Sequence, residues 1–177
     1  MILKNAENND FDKLKLMYEE AFPLIERKPY SVIEKNRQRG KTDVLAIKDD
    51  DIKGLVVTIN NKDLVLVDFL AIDKNLRGSG IGSQAIELIR EKYNDRRVFL
   101  EIEKPLKEAD NYDQRLKRKH FYLKNGLKDE GVTANIYDTE IELLTFDKPV
   151  SFEEYAELYE TAMDEKWLKK LGRPLKI

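Results

Sequence analysis

The stretch Arg77-Gly78-Ser79-Gly80-Ile81-Gly82-Ser83 is where this sequence gathers residues suited to binding rather than packing. Three glycines within five residues let the chain take positive φ and let a ligand approach bare backbone. An apolar run, Leu64 to Ile72, precedes it, and Ile81, Ala85, Leu88 and Ile89 follow at helical spacing. Unpaired amides and the dipole at a helix start suit an anion such as a phosphate or pyrophosphate, and Arg77 adds charge beside them. The alternative is a plain strand-to-helix turn; three clustered glycines next to an arginine favour the phosphate. Two well-known phosphate loops fit poorly. A P-loop ends in Gly-Lys-Ser/Thr, and no lysine follows these glycines. A dinucleotide loop wants Gly-x-Gly-x-x-Gly directly after its strand, with an acid about 20 residues on. Gly78 and Gly80 fit and Glu101 lies 21 residues past Gly80, but Ser83 takes the third glycine's place and Asp73 to Arg77 intervene.

Other chemistry is sparse. The chain has no cysteine and one histidine, His120, which excludes a thiol nucleophile, a disulfide frame, Cys-based zinc or iron–sulfur sites and a His-rich metal centre. Asp68 interrupts an otherwise apolar strand, where burial is costly without a partner. It reads as either a paired structural acid or a catalytic one. Glu101 and Glu103 share one face of a strand over Val98 to Glu103. The run Arg115-Leu116-Lys117-Arg118-Lys119-His120 lies on a helix, where a solvated face is the ordinary reading. His120 reads as a helix-surface residue and Trp167 as an interface or core anchor.

The elements that must position these residues alternate without long structureless loops. A chain of 177 residues with 41% hydrophobic content is one ordinary folded domain. Its 32 Lys and Arg against 34 Asp and Glu leave a net charge of −2, with no general attraction for nucleic acid or anionic lipid. No apolar run is long enough to span a bilayer, and Met1-Ile2-Leu3-Lys4-Asn5-Ala6-Glu7 does not resemble a signal peptide, so a cytoplasmic address is expected. Strands are expected at Met1–Lys4, Asp43–Lys48, Ile52–Asn60, Leu64–Ile72, Val98–Glu103, Val132–Tyr137 and Glu140–Phe146. The continuous Leu64–Ile72 pattern predicts a central strand covered on both faces. Helices are expected from Phe11 to Phe22, after Ser31, from Ser79 to Tyr93 and from Tyr112 to Lys124. Ser31 with Glu34, and Ser151 with Glu154, resemble capping boxes. The second opens a last helix that turns Phe152, Tyr155, Leu158, Tyr159 and Ala162 inward. The class is α/β with a sheet of about seven strands, residues 1–148 forming the main domain and 149–177 a helical extension packed on it.

Arg77-Gly78-Ser79-Gly80-Ile81-Gly82 matches Gln/Arg-x-x-Gly-x-Gly/Ala, and Phe121-Tyr122-Leu123-Lys124-Asn125-Gly126-Leu127 matches a second block. With both, the sequence resembles the GNAT superfamily of acyl-CoA-dependent N-acetyltransferases over roughly Met1 to Phe146. The resemblance implies a mixed, mostly antiparallel sheet splayed between its fourth and fifth strands, with the acyl-pantetheine arm pairing with backbone at Leu70 and Ile72. Amides near Leu70, Ala71 and Ile72 would polarise the thioester carbonyl. The pyrophosphate would lie on the loop from Arg77 through Gly78, Ser79, Gly80, Ile81 and Gly82 to Ser83.

By the same resemblance Tyr122 is the acid that protonates the departing thiolate, the alternative being a ring packed against the sheet. The base is open. A glutamate that some relatives carry in the fourth strand is replaced here by Leu66. Glu103 lies near the expected splay, and Glu26, in Phe22-Pro23-Leu24-Ile25-Glu26, resembles a base of arylalkylamine acetyltransferases. Arg115 stands where many relatives have an asparagine touching pantetheine, with Asn111 one turn away. The basic run is a second candidate contact, for the CoA 3′-phosphate. The expectation is transfer of an acetyl group from acetyl-CoA to a primary amine, with no metal; the alternative is a non-catalytic CoA-binding regulator. The aromatic residues of the last helix, Trp167 among them, suggest a homodimer surface or docking on the chain's own sheet.

Overall fold

The computed structural model describes residues 1–24, 26–136, 138–162, 168 and 172–177. Among them are five α-helices and eight strands, in the sheet order β1-β2-β3-β4-β5-β7-β6-β8. The class is α/β as expected, with one strand more than about seven. No helix among the described residues is long and apolar enough to cross a membrane. The chain forms two compact units: residues 1–60 with 67–94, and residues 61–66 with 95–177.

The first unit holds β1 (Ile2–Asn5), α1 (Phe11–Ala21), α2 (Tyr30–Gln38), β2 (Thr42–Lys48), β3 (Ile52–Asn61), most of β4 (Leu64–Ile72) and α3 (Ile81–Lys92). Strands β1, β2 and β3 pair antiparallel, Ile2 opposite Lys48 and Val44 opposite Val57. Alternate residues Val44 and Ala46, Leu55 and Val57, and Phe69 and Ala71 turn to one face, where Leu14, Met17 and Tyr18 of α1 and Ile33 of α2 cover them. Gly54 is needed for close approach: a Cβ there would stand 2.7 Å from the Ala71 carbonyl oxygen and 2.8 Å from Ile47 Cδ1.

Two local expectations change in this unit. Helix α2 starts at Tyr30 behind Pro29, whose carbonyl already accepts from Val32 N–H at 2.8 Å. Glu34 does not close a box with Ser31; Arg37 Nη2 and Nε donate to it at 2.7 and 2.8 Å. With Pro29 as N-cap the helix begins two residues early, which puts Ser31 inside the first turn and removes its cap. In β4, residues Leu64 to Val67 are buried as predicted, but Asp68, Leu70 and Ile72 are partly exposed while Phe69 and Ala71 stay buried. The strand therefore opens on one face toward its end.

The second unit holds the start of β4, β5 (Arg97–Glu103), α4 (Tyr112–Lys124), β6 (Lys128–Ile136), β7 (Thr139–Thr145), α5 (Phe152–Ala162) and β8 (Leu175–Lys176). Strand β4 runs parallel to β5, and Arg97 N–H donates to the Asp63 carbonyl at 2.8 Å where the two begin. Strands β5, β7 and β6 pair antiparallel, and β8 adds the eighth strand on β6 at Asn135 and Ala134. The Ser151–Glu154 box forms: Ser151 N–H donates to Glu154 Oε2 at 3.0 Å and Glu154 N–H to Ser151 Oγ at 3.2 Å. Tyr155, Leu158, Tyr159 and Ala162 are buried within this unit, Tyr155 edge-on to Phe99. These side chains dock on their own unit, which removes them as evidence for a dimer surface; Trp167 lies outside the described residues.

Candidate functional site

Strand β4 reaches the glycine loop through a turn built by its own side chains. Asp73 N–H donates to the Lys53 carbonyl at 2.9 Å, fixing the strand end, and the Asp73 carboxylate accepts from Asn75 N–H at 2.9 Å. A 3₁₀ turn over Lys74–Leu76 follows, and Ser79 closes back on it through N–H and Oγ to the Leu76 carbonyl. This turn accounts for the five residues between strand and glycines. Gly78 and Gly80 take φ of +79° and +87°, and Gly80 is the residue from which α3 departs. A Cβ on either would meet nothing within 4 Å, so conformation rather than packing demands glycine there. Gly82 differs. It lies inside α3 and takes no positive φ, so its bare backbone meets no conformational need of the turn.

The first turn of α3 has N–H groups without intrahelical partners, and residues 77–80 are exposed around them. Ala85, Ile86 and Ile89 bury the helix's other side, so the start of α3 is held rigidly. Leu70, Ala71 and Ile72 form the strand end immediately before, with Ala71 packed on Gly54. The predicted cofactor residues thus fall in one strand–turn–helix of the first unit.

Asp68 is a paired acid. Lys28 Nζ donates to its two oxygens at 2.8 and 2.7 Å, and the same ammonium stands 5.6 Å from the centre of the Phe69 ring. Lys28 was not singled out from sequence, because 40 residues separate it from Asp68 and no local pattern joins them. Tyr18, whose phenol is raised mainly by burial, donates to the Lys28 carbonyl at 3.0 Å and so fixes this segment. Glu26 lies in the same α1–α2 connection and is exposed.

In the second unit, Tyr122 sits on α4 with its ring 5.2 Å from that of Phe121, tilted at 65°. Burial pushes its phenol above the ordinary tyrosine value, opposed by the nearby Arg118 cation. No partner among the described residues holds the hydroxyl. A phenol protonated at neutral pH and uncommitted to the fold can give a proton away.

The carboxylates of β5 are committed. Glu103 is bridged by Arg115 at 2.9 Å and Arg118 at 3.5 Å, two turns and one turn before Tyr122 on α4. Glu101 accepts from the Tyr155 hydroxyl. Arg115 also donates to Asn111 Oδ1 at 2.6 Å and the Lys104 carbonyl at 3.1 Å, so it ties the start of α4 to the end of β5. Lys119 lies 2.7 Å from Asp129 and 2.6 Å from buried Glu142, whose carboxyl is raised by burial. The basic run is therefore largely an internal ion-pair face and not a solvated one. His120 is exposed, as expected.

Comparison with known proteins places this geometry. The model of the acetyltransferase (GNAT) family matches residues 11–126, from α1 through the Asn125-Gly126 stop of α4. A search of the curated proteins finds no match. Among solved structures, a Bacteroides thetaiotaomicron protein described as an acetyltransferase from the GNAT family superposes with a TM-score of 0.73 at 20% identity, covering 91% of this chain and 95% of its own. An aminoglycoside 6′-N-acetyltransferase complexed with coenzyme A gives 0.63 at 19% identity, covering 85% and 100%. A Bacillus subtilis acetyltransferase in complex with CoA gives 0.61 at 12% identity, covering 84% and 99%. At such identities the structural likeness is one of fold, and the family match over most of the chain carries the assignment. The chain belongs to the GNAT family of acetyltransferases.

Proposed function

We propose that this protein transfers an acetyl group from acetyl-CoA to a primary amine in the cytoplasm. The observation that carries the reading is the strand–turn–helix from Leu70 to Ser83, an exposed start of a rigid helix behind two positive-φ glycines. Its amides, with Arg77, suit a pyrophosphate by hydrogen bonding and by the helix dipole. The two CoA-bound neighbours share the fold, which supports a CoA-type cosubstrate.

In the reaction the amine nitrogen attacks the thioester carbonyl carbon, the C–N bond forms, and the C–S bond breaks. Backbone N–H groups at Leu70 to Ile72 are assigned to the carbonyl oxygen, where negative charge develops. Tyr122 is assigned to give the leaving thiolate its proton, which its raised phenol can hold at neutral pH. The base must take a proton from the amine. Glu103, bridged by Arg115 and Arg118, and Glu26, exposed in the α1–α2 connection, are the two carboxylates assigned as candidates for that role.

The test combines binding with turnover. Acetyl-CoA should stabilise the protein by about 2.7 kcal/mol at 100 times its Kd. A panel of primary amines should then yield free thiol in step with acetylated amine. Saturable acetyl-CoA binding with no amine-dependent thiol release from any member would replace this reading with a non-catalytic CoA-binding regulator.

A further inference from the structure

Toward its end β4 exposes one face, and the side chains there are Asp68, Leu70 and Ile72. Period-two alternation puts Asp68 and Leu70 on that face, about 7 Å apart along the strand. An acid so placed stands beside the strand end assigned above to the acyl group. It is also occupied. The Lys28 ammonium contacts both carboxylate oxygens, and with it in place the side chains of Lys28 and Asp68 are 15% and 5% exposed. Below the ammonium lies the Phe69 ring, flanked by Tyr18 and Phe22 at centroid distances of 4.8 and 4.9 Å.

A carboxylate paired with an aromatic face is the chemistry that holds a primary alkylammonium. The lysine side chain is itself an alkylammonium on a tether. Lys28 belongs to neither a helix nor a strand but to the connection between α1 and α2. As a stability device the arrangement is weak, since a buried ion pair can often be replaced by apolar residues of similar volume without loss. As a recognition device it is specific, because the carboxylate and the ring meet one and the same ammonium, a combination whose natural guest is a cationic amine.

Resting on the N-acetyltransferase reading, we propose that Asp68 and the Phe69 ring bind the ammonium group of the acceptor, and that Lys28 is the resident occupant an acceptor displaces. The acceptor class is then a cationic primary alkylamine with an apolar stem. Lys28 acts as an intramolecular competitor: the apparent affinity for any amine is reduced by the fraction of molecules in which the site stands open. Removing its charge while keeping its length should tighten amine binding.

The experiment measures calorimetric binding of n-butylammonium to the full chain, without acetyl-CoA, for wild type, Lys28→Met and Lys28→Met/Asp68→Asn. Lys28→Met should bind at least about tenfold more tightly than wild type. The double variant should lose that gain. Equal affinity in wild type and Lys28→Met, or a gain kept in the double variant, overturns the proposal. If Lys28→Met does not fold alone, saturating n-butylammonium should restore a cooperative melt, and failure to restore it also overturns the proposal. The readout is separate from turnover. Butylammonium binding at Asp68 with no amine acetylated would sink the enzymatic reading and leave the site standing; acetylation without such binding would do the reverse.

Discussion

Two tyrosines of the second unit should respond oppositely to loss of a hydroxyl. Tyr122 makes no hydrogen bond through its hydroxyl to any described residue, whereas the Tyr155 hydroxyl donates to Glu101. Tyr122→Phe keeps the ring beside Phe121 and removes only an oxygen, so stability should change by no more than about 0.5 kcal/mol. If that oxygen supplies the proton to the thiolate, kcat should fall on the order of 10²-fold, or about 2.7 kcal/mol of transition-state stabilisation. CoA affinity should stay nearly unchanged. Burial raises the Tyr122 phenol above the ordinary tyrosine value of 10.0, so any alkaline loss of kcat due to this group must lie above that value. Tyr155→Phe removes a hydrogen bond to a carboxylate and should cost about 1.5–3 kcal/mol of stability while leaving kcat of the folded enzyme intact. The assays are urea unfolding, CoA titration and single-turnover thiol release for both variants. Turnover of Tyr122→Phe within about threefold of wild type would refute the acid assignment, since general-acid effects are larger than that. Tyr122 would then be a packing residue.

The glycine loop offers a cleaner test at Gly82 than at Gly80. Gly80→Val forces a branched residue to a φ of +87° and should cost about 1–3 kcal/mol whatever binds there, while Gly82→Val, inside α3, should melt much closer to wild type yet lose the acetyl-CoA thermal shift. A retained shift in Gly82→Val would refute the anion-loop assignment. Gly54→Ala should destabilise by about 1–3 kcal/mol in chemical unfolding, because its Cβ would lie 2.7 Å from the Ala71 carbonyl oxygen; a change under about 0.5 kcal/mol would show that β3 and β4 yield there. Arg97 holds Asp63 and Glu154 below their ordinary carboxylate values of 3.8 and 4.5 by hydrogen bonding, so their contribution is present above those values and is lost as pH falls through the lowered ones. Arg97→Met should be less stable than wild type near pH 7, and acid titration of unfolding should show a smaller loss in the variant over that window.

What the sequence by itself determined was local. The loop from Arg77 to Ser83 could be read because positive φ, a helix start and bare amides are properties of consecutive residues. The same holds for the Ser151–Glu154 box and for the alternation of β2 and β3, where neighbours in sequence are neighbours in space. Even local logic fails when two signals compete, as at α2, where Pro29 sets the helix entry before Ser31 can cap it. The tertiary structure alone decided what each charged side chain touches. Asp68 could be identified as an anomaly in an apolar strand, but its partner lies 40 residues away. Glu101 and Glu103 share a strand face, yet one is held by a tyrosine 54 residues on and the other by two arginines of α4. The basic run on α4 had the composition of a solvated face and turned its charges inward to Glu103, Asp129 and Glu142. The spacing of residues along a strand or helix fixes the direction in which a side chain points. Which opposite charge it meets depends on how separate elements dock, and apolar burial, which is non-directional, drives that docking without regard to the ions it brings together.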